Sequence, residues 1–324
     1  MKIYNLLLLS SSNHVQLVNS FKDAYNKLGI KGHVFTADIQ EYCASAMVSE
    51  KHFPIPRSDS KEFFPSLKKI IGENKINIVL SARDEELAVL SQNREFFIEH
   101  GCILIVSNEN SINLCRDKYE LNNFFKKNDI PHPETHLFAA LNDNQNIKYP
   151  LICKPRFGKG GLGIYKVYNY NTIQNLIDNT SDYIFQEYIE GVEYTIDVLN
   201  DLKGNVLSVI PRKRVLIKGG ESIISITEKN DQLINYAKKI SEKIGFVGHI
   251  NIQCIIKDDI PFFLEINPRF GGASNCSFEA GMKSPINIML MVQGEKIKPF
   301  IGEFKDNLMI LRYSQDFIIK RDNK

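Results

Sequence analysis

Up to about residue 110 the chain alternates short apolar runs with amphipathic stretches, whereas beyond residue 150 apolar runs follow one another across tight turns. The first pattern belongs to βαβ units around a parallel sheet, and the second to antiparallel hairpins. One chain must therefore build two kinds of layer. The expected parallel strands are Ile3–Leu9, His33–Thr36, Ile76–Leu80 and Cys102–Val106. Between the first two, Val18, Phe21, Tyr25 and Leu28 recur at helical spacing, with Gly29 where a left-handed cap would end the helix. In the second half, Leu151–Lys154, Tyr165–Tyr168 and Ile184–Glu187 read as strands of one small unit, and Thr195–Leu199 and Val206–Ile210 as a hairpin around Asp201 to Asn205. A helix carrying Leu233, Ala237, Ile240 and Ile244 stops at Gly245, and His249–Lys257 and Phe262–Asn267 form a last strand pair.

Composition removes several classes of function. With 40 Lys and Arg against 38 Asp and Glu in 324 residues, bulk charge gives no reason to expect nucleic acid or a membrane surface as partner. The apolar opening IYNLLLLS is too short to span a bilayer and lacks the flanks of a signal peptide. The six cysteines are scattered, with no Cys-x-x-Cys pair, and are expected to be reduced thiols in the cytosol. The turn after the first strand, Ser10-Ser11-Ser12-Asn13-His14, contains no glycine, so a dinucleotide site of the Rossmann type is not expected.

Four segments carry chemistry. Lys154-Pro155-Arg156-Phe157-Gly158-Lys159-Gly160-Gly161-Leu162-Gly163 places four glycines within six residues, beside three basic residues. Such a segment can turn successive N–H groups toward phosphate oxygens, with Lys154 adding a point charge, or it can be a flexible hairpin turn. In the last strand pair, alternation puts Asn251, Gln253 and Ile255 on one face and Phe263, Glu265 and Asn267 on one face of the next strand. If Lys257 pairs with Pro261, Gln253 lies opposite Glu265 and Asn251 opposite Asn267. Buried oxygen-bearing groups without partners cost about 1–3 kcal/mol each, so a hard divalent ion is one solution and an exposed polar sheet face the other.

The third segment is Arg269, between Asn267-Pro268 and Phe270-Gly271-Gly272, which would stand beside a metal-bound phosphate or simply on the surface. The fourth, Gln186 to Glu193, is a strand entering a Gly191 turn, able to offer backbone groups to a base and a carboxylate to ribose hydroxyls.

Taken in order, these segments resemble the ATP-grasp superfamily, and within it the single ATP-grasp halves of the carbamoyl-phosphate synthase large subunit. Asp84-Glu85-Glu86-Leu87 and Cys115-Arg116-Asp117-Lys118 extend the resemblance into the first half. It implies an α/β protein, α+β over its whole length. An N-terminal doubly wound domain (1–115) would precede a two-part ATP-grasp domain with antiparallel sheets, its lid at 116–190 and its C-terminal part at 191–324. It further implies ATP with Mg²⁺ or Mn²⁺: Lys118 and Lys154 on the phosphates, Gly158, Gly160, Gly161 and Gly163 in a mobile loop over them, Glu187 and Ile189 meeting adenine through their main chain, and Glu193 on the ribose. Gln253, Glu265 and Asn267 correspond to the metal ligands and Arg269 to the catalytic cation.

The activity implied is ADP-forming ligation, in which a small carboxylate becomes an acyl phosphate and is joined to a nucleophile such as an amine; a homodimer is carried as an expectation for assembly. The acceptor pocket is expected around Arg212, Lys213, Arg214 and the loop from Phe270 to Cys276. Two departures from the relatives stand out. Ser12-Asn13-His14 replaces a glycine-containing turn, and Lys218-Gly219-Gly220-Glu221-Ser222 stands where carbamoyl-phosphate synthases carry a His-Thr-Gly-Asp-like stretch. Without a second ATP-grasp copy or a glutaminase, carbamoyl phosphate synthesis is not expected. A phosphotransferase and a non-catalytic ATP-binding regulator remain as alternatives.

Overall fold

A computed structural model of the chain describes residues 2–143, 147–158, 162–176 and 180–320. The first half runs β1 (Tyr4–Leu9), α1 (Val15–Leu28), β2 (Gly32–Asp38), β3 (His52–Pro54), α2 (Phe63–Glu73), β4 (Ile78–Ser81), α3 (Asp84–Gln92), α4 (Arg94–Glu99), β5 (Ile103–Leu104), α5 (Glu109–Arg116) and α6 (Lys118–Lys127). Its parallel sheet has the order β3-β2-β1-β4-β5, a doubly wound arrangement whose strand order reverses between β1 and β4. The run of leucines in β1 now has a cause. Leu6 and Leu8 face α1, while Leu7 and Leu9 face α2 and α3, so both sides of the strand are buried. Gly29 closes α1 in the left-handed conformation, at φ 61°. Leu121 and Phe125 of α6, grouped by sequence with the lid, pack into the core beneath the C-terminal sheet.

A four-stranded antiparallel unit follows, made of β6 (Thr135–Leu137), α7 (Phe138–Asp143), β7 (Leu151–Pro155), β8 (Tyr165–Val167), α8 (Tyr170–Leu176) and β9 (Tyr183–Glu187), with sheet order β6-β9-β7-β8. The remainder comprises β10 (Val192–Asn200), β11 (Val206–Lys218), β12 (Glu221–Thr227), α9 (Asp231–Ile244), β13 (Gly248–Lys257), β14 (Ile260–Asn267), α10 (Asn275–Ser277), α11 (Ser284–Val292) and β15 (Met309–Leu311). Its six strands lie in the order β14-β13-β10-β11-β12-β15. α11 returns to the first half, where Ile288 and Met289 share a core with α1.

Three sequence expectations need correction. β11 continues to Lys218 rather than ending at Ile210, because Arg212 and Arg214 find carboxylate partners and do not break the strand. The short edge strands β3, β6 and β15, and all of β12, carry too little periodicity to be read locally. The turn between β13 and β14 has two residues, Asp258 and Asp259, both at positive φ, so Lys257 pairs with Ile260 and not with Pro261. A β-bulge at Leu264 then restores the pairs Gln253↔Glu265 and Asn251↔Asn267. The same bulge turns Phe263 into the core, away from the face that Glu265 and Asn267 share.

Candidate functional site

Register builds the floor of the site. One row across the six-stranded sheet is Arg212, Thr195, Gln253 and Glu265; the next is Ile210, Asp197, Asn251 and Asn267. One step further along β10, Glu193 pairs with Arg214 at 2.9 Å. All of these except Ile210 and Asp197, which lie buried beneath, floor a cleft of about 840 Å³. The four-stranded unit supplies one wall, through Lys154, Gly158, Glu187 and Ile189, and α3 and α6 contribute Asp84 and Lys118. Gly191 is needed at the start of β10, since a Cβ there would lie 2.2 Å from the Ile256 carbonyl.

Two lysines concentrate positive charge over this floor. Lys154 is 7% exposed and donates to Gln186 Oε1 at 2.8 Å. Burial pulls its ammonium down to about 8, against the upward pull of Glu265 and reinforced by Lys118. Lys118 donates to the Gly158 carbonyl at 2.5 Å, and its pKa is likewise lowered by burial, opposed by Glu265, Asp84 and Asp117. Arg156, counted by sequence with the basic residues of this segment, is instead tied to Asp117 by bonds of 2.8 and 2.6 Å. Because Asp117 also caps α6, that pair anchors the glycine segment to the helix. Gly163 sits at φ 71° off the cleft lining, while Gly160 and Gly161 lie outside the described residues.

Glu265, Gln253 and Asn267 stand together as their parity predicts. Gln253 Oε1 accepts from Arg214 at 3.3 Å, and Asn267 Oδ1 from Arg269 at 3.1 Å. No ion pair engages Glu265 among the described residues; its charge acts on Lys118, Lys154 and Arg214. No cluster of three His, Cys, Asp or Glu occurs among those residues, so a metal here would meet one carboxylate and two amide oxygens. That oxygen set fits Mg²⁺, which commonly completes its shell with substrate phosphates and water.

Arg269 is not free. Its Nε and Nη2 donate to Asp84 Oδ2 at 2.9 and 2.7 Å, so the first half of the chain holds the cation of the second. Glu187 uses its N–H on the Glu134 carbonyl at 2.8 Å, and Glu193 reaches the cleft with its carboxylate on Arg214. Sequence reasoning gave no site role to Asp197, His14, Arg312 or Glu221, although His14 and Glu221 stand in the two stretches that depart from the relatives. Asp197 is enclosed and bound to Arg212. His14, at the start of α1, is pushed down to about 4 by burial and by Arg269. Arg312 and Glu221 form a 2.7 Å pair at the cleft margin. Asp84, the partner of Arg269, stands in the acidic stretch after β4 that already carried a signal. Of the six cysteines, five are buried and Cys43 is partly exposed; none forms a disulfide. Among the described residues no helix is long and apolar enough to cross a membrane.

A doubly wound sheet followed by two antiparallel sheets is a fold that this chain shares with known structures. Residues 115–273 match the ATP-grasp domain and residues 6–105 the PylC-like N-terminal domain, so the chain joins these two modules. It is similar to the carbamoyl phosphate synthase large chain of Thermoanaerobacter sp. (strain X514), 26% identical over 196 residues that cover 54% of this chain and 18% of the relative. The chain thus spans under a fifth of that relative's length. Among solved structures, an L-amino acid ligase from Bacillus licheniformis aligns over 94% of this chain and 78% of its own, at 19% identity and TM-score 0.71. The biotin carboxylase domain dimer of Hydrogenobacter thermophilus 2-oxoglutarate carboxylase, solved with MgADP, ADP and bicarbonate, aligns over 95% and 74%, at 17% identity and TM-score 0.75.

Proposed function

We propose that the chain is an ATP-dependent ligase that activates a small carboxylate as an acyl phosphate and couples it to an amine or similar nucleophile, releasing ADP and phosphate. The observation that carries this reading is the convergence, in one cleft, of the buried Lys154, the partly buried Lys118, the Gln253–Glu265–Asn267 oxygen set and Arg269. A nucleoside triphosphate would satisfy all of these at once: its phosphates would neutralise the lysines, meet the Arg269 guanidinium and supply further oxygens to a divalent ion. The ATP-grasp domain and the MgADP-bound structural neighbour support that choice.

In this reading Lys118 and Lys154 bind the phosphates, and the segment containing Gly158, Gly160, Gly161 and Gly163 covers them. Glu187 and Ile189 receive adenine through their main chain, and Glu193 turns from Arg214 to the ribose. Gln253, Glu265 and Asn267 would hold Mg²⁺, which would supply neutralisation of charge on the transferring phosphoryl group. Arg269 adds a fork of donors where charge develops as the substrate carboxylate attacks the γ-phosphorus. The nucleophile then displaces phosphate from the mixed anhydride, while the closed cleft keeps water away. A homodimer belongs to the same proposal, supported by the dimeric neighbour.

The test is ADP release from the full chain with a pool of amino acids and small carboxylates, with and without amines. A carboxylate that raises ADP release only with an amine supports ligation, whereas a stable phosphorylated product points to a phosphotransferase. Scrambling of a β,γ-bridging ¹⁸O in the presence of the carboxylate alone reports the acyl phosphate. Loss of both scrambling and hydroxylamine trapping, for a substrate that turns over, would overturn the mechanism.

A further inference from the structure

Beneath the cleft, on the same sheet as the oxygen set, lies a charged network with no part in the chemistry described above. Asp197, at 0% exposure, accepts from Arg212 Nε at 2.6 Å and Nη2 at 3.4 Å, from His249 Nε2 at 3.3 Å, from Ser274 Oγ at 3.3 Å and from Ser277 Oγ. These donors come from β11, from β13 and from the turn and short helix α10 that follow Arg269. Burial disfavours the ionised carboxyl, but the Arg212 charge and the bonds from His249 and Arg212 outweigh it and hold Asp197 well below the usual carboxylate range. One anion therefore ties three separate segments together.

The turn is fixed in detail. Ser274 Oγ accepts from the Gly271 N–H at 2.9 Å and contacts His249 Nε2 at 3.0 Å. The His249 ring stacks on Phe270 at 4.6 Å and 9°, and its Nδ1 meets Ser284 Oγ at 2.9 Å. With the ring proton on Nε2 and Ser284 donating to Nδ1, every contact is satisfied. Arg212 is fixed as firmly, yet it remains incompletely used. Its side chain is 2% exposed and lines the cleft, and Nη1 donates to Ser225 Oγ at 3.2 Å. A guanidinium carries five N–H groups, so one on each Nη has no partner among the described residues. Unpaired donors on a buried cation are costly unless an anion arrives to meet them. Arg212 lies three strands from Glu265 in the same row, about 14 Å between backbones, and so marks the end of the floor away from the metal-facing carboxylate.

We propose that Arg212 binds an oxyanion of the acyl substrate through its two remaining N–H groups, and that Asp197 is the positioning residue that holds both Arg212 and the Gly271–Ser274 turn beside it. The proposal rests on the ligase reading and extends it to the substrate: the acyl donor must present a second oxygen-rich group, or the carboxylate itself, to a preformed arginine fork. Rigid placement by Asp197 favours a bidentate oxyanion over a neutral carbonyl.

The test uses the full chain with Arg212→Lys, Asp197→Asn and Ser274→Ala, the last removing the turn's bond while leaving the ion pair intact should Asp197→Asn fail to fold. ADP release is measured against ATP and against whichever carboxylate of the pool is active, and amide exchange is followed over residues 270–278. Arg212→Lys should raise the carboxylate KM about tenfold or more, with the ATP KM within about twofold and parent-like exchange. Asp197→Asn and Ser274→Ala should raise the same KM and also speed exchange over the turn. A parent-like carboxylate KM in Arg212→Lys, an equal rise in the ATP KM, or unchanged exchange in Asp197→Asn and Ser274→Ala would overturn the proposal. A parent chain that no carboxylate stimulates would overturn the ligase reading and with it the substrate role of Arg212, leaving the exchange data to decide Asp197's hold on the turn.

Discussion

Asp84 accepts two hydrogen bonds from Arg269 across 185 residues of chain, at 2.9 and 2.7 Å. The pair joins the N-terminus of α3 to the end of β14, so the aim of the proposed catalytic cation is set by the first half of the molecule. Both side chains are about one-fifth exposed, and the bond can be exchanged for a phosphoryl contact. Asp84→Asn should lower kcat for carboxylate-dependent ADP release about 10- to 100-fold while leaving the ATP KM within about threefold, because a misplaced donor costs mostly in the transition state. Initial rates at varied ATP measure the split; an ATP KM that rises in step with the fall in kcat would place the pair in nucleotide binding.

Glu265 is the only carboxylate in the proposed metal set, facing Gln253 across the β13–β14 pair. Glu265→Gln keeps shape and hydrogen-bonding capacity but removes the charge that a divalent ion requires. Turnover should fall at least about 10²-fold with the unfolding midpoint unchanged or raised, since a charge close to buried groups is lost. Near-parent turnover at saturating Mg²⁺ would show that the ion sits elsewhere.

Burial of Lys154 makes nucleotide affinity sensitive to pH. With its free-protein pKa pulled down to about 8, the ammonium is largely present at pH 7 and largely absent at pH 9. Bound phosphates favour the protonated form, so binding takes up a proton above pH 8, and ATP affinity should fall about tenfold per pH unit there. Lys154→Ala should weaken ATP binding at pH 7 and abolish that slope. Isothermal titration in buffers of different ionisation enthalpy reads both the affinity and the proton uptake.

Glu86 pins the ends of β1 and β4 by accepting from Ser10 Oγ and Ser81 Oγ, both at 2.5 Å. Burial pushes its carboxyl up to about 7, against those two bonds. A group whose folded pKa exceeds its unfolded value stabilises the fold at low pH and loses that contribution as pH rises, here between about 4.5 and about 7. The loss amounts to about 3 kcal/mol at most. Glu86→Gln, neutral throughout, should flatten the pH dependence of the urea midpoint and be more stable than the parent at pH 8 than at pH 5. An unchanged pH dependence would mean that Glu86 titrates as an ordinary carboxylate.

Local sequence determined what depends on near neighbours. The leucine run of β1, the left-handed stops at Gly29 and Gly245, and the parity that puts Gln253 with Asn251 follow from period and backbone preference over a few residues. Pairing Glu265 with Gln253 was also legible, although the expected turn was one residue too long and only the bulge at Leu264 corrected the register; a bulge belongs to the strand pair, not to either strand alone. What tertiary structure alone decided are the charge partnerships: Arg269 with Asp84, Arg212 with Asp197, Arg156 with Asp117 and Arg214 with Glu193. Arginine reads alike in sequence whether it faces water, a phosphate or a buried acid, because its charge is constant and its pairing is fixed only when distant strands meet. The oxygen set could therefore be found from alternation, whereas the division of the arginines between structural anchors and a proposed substrate fork had to await the fold.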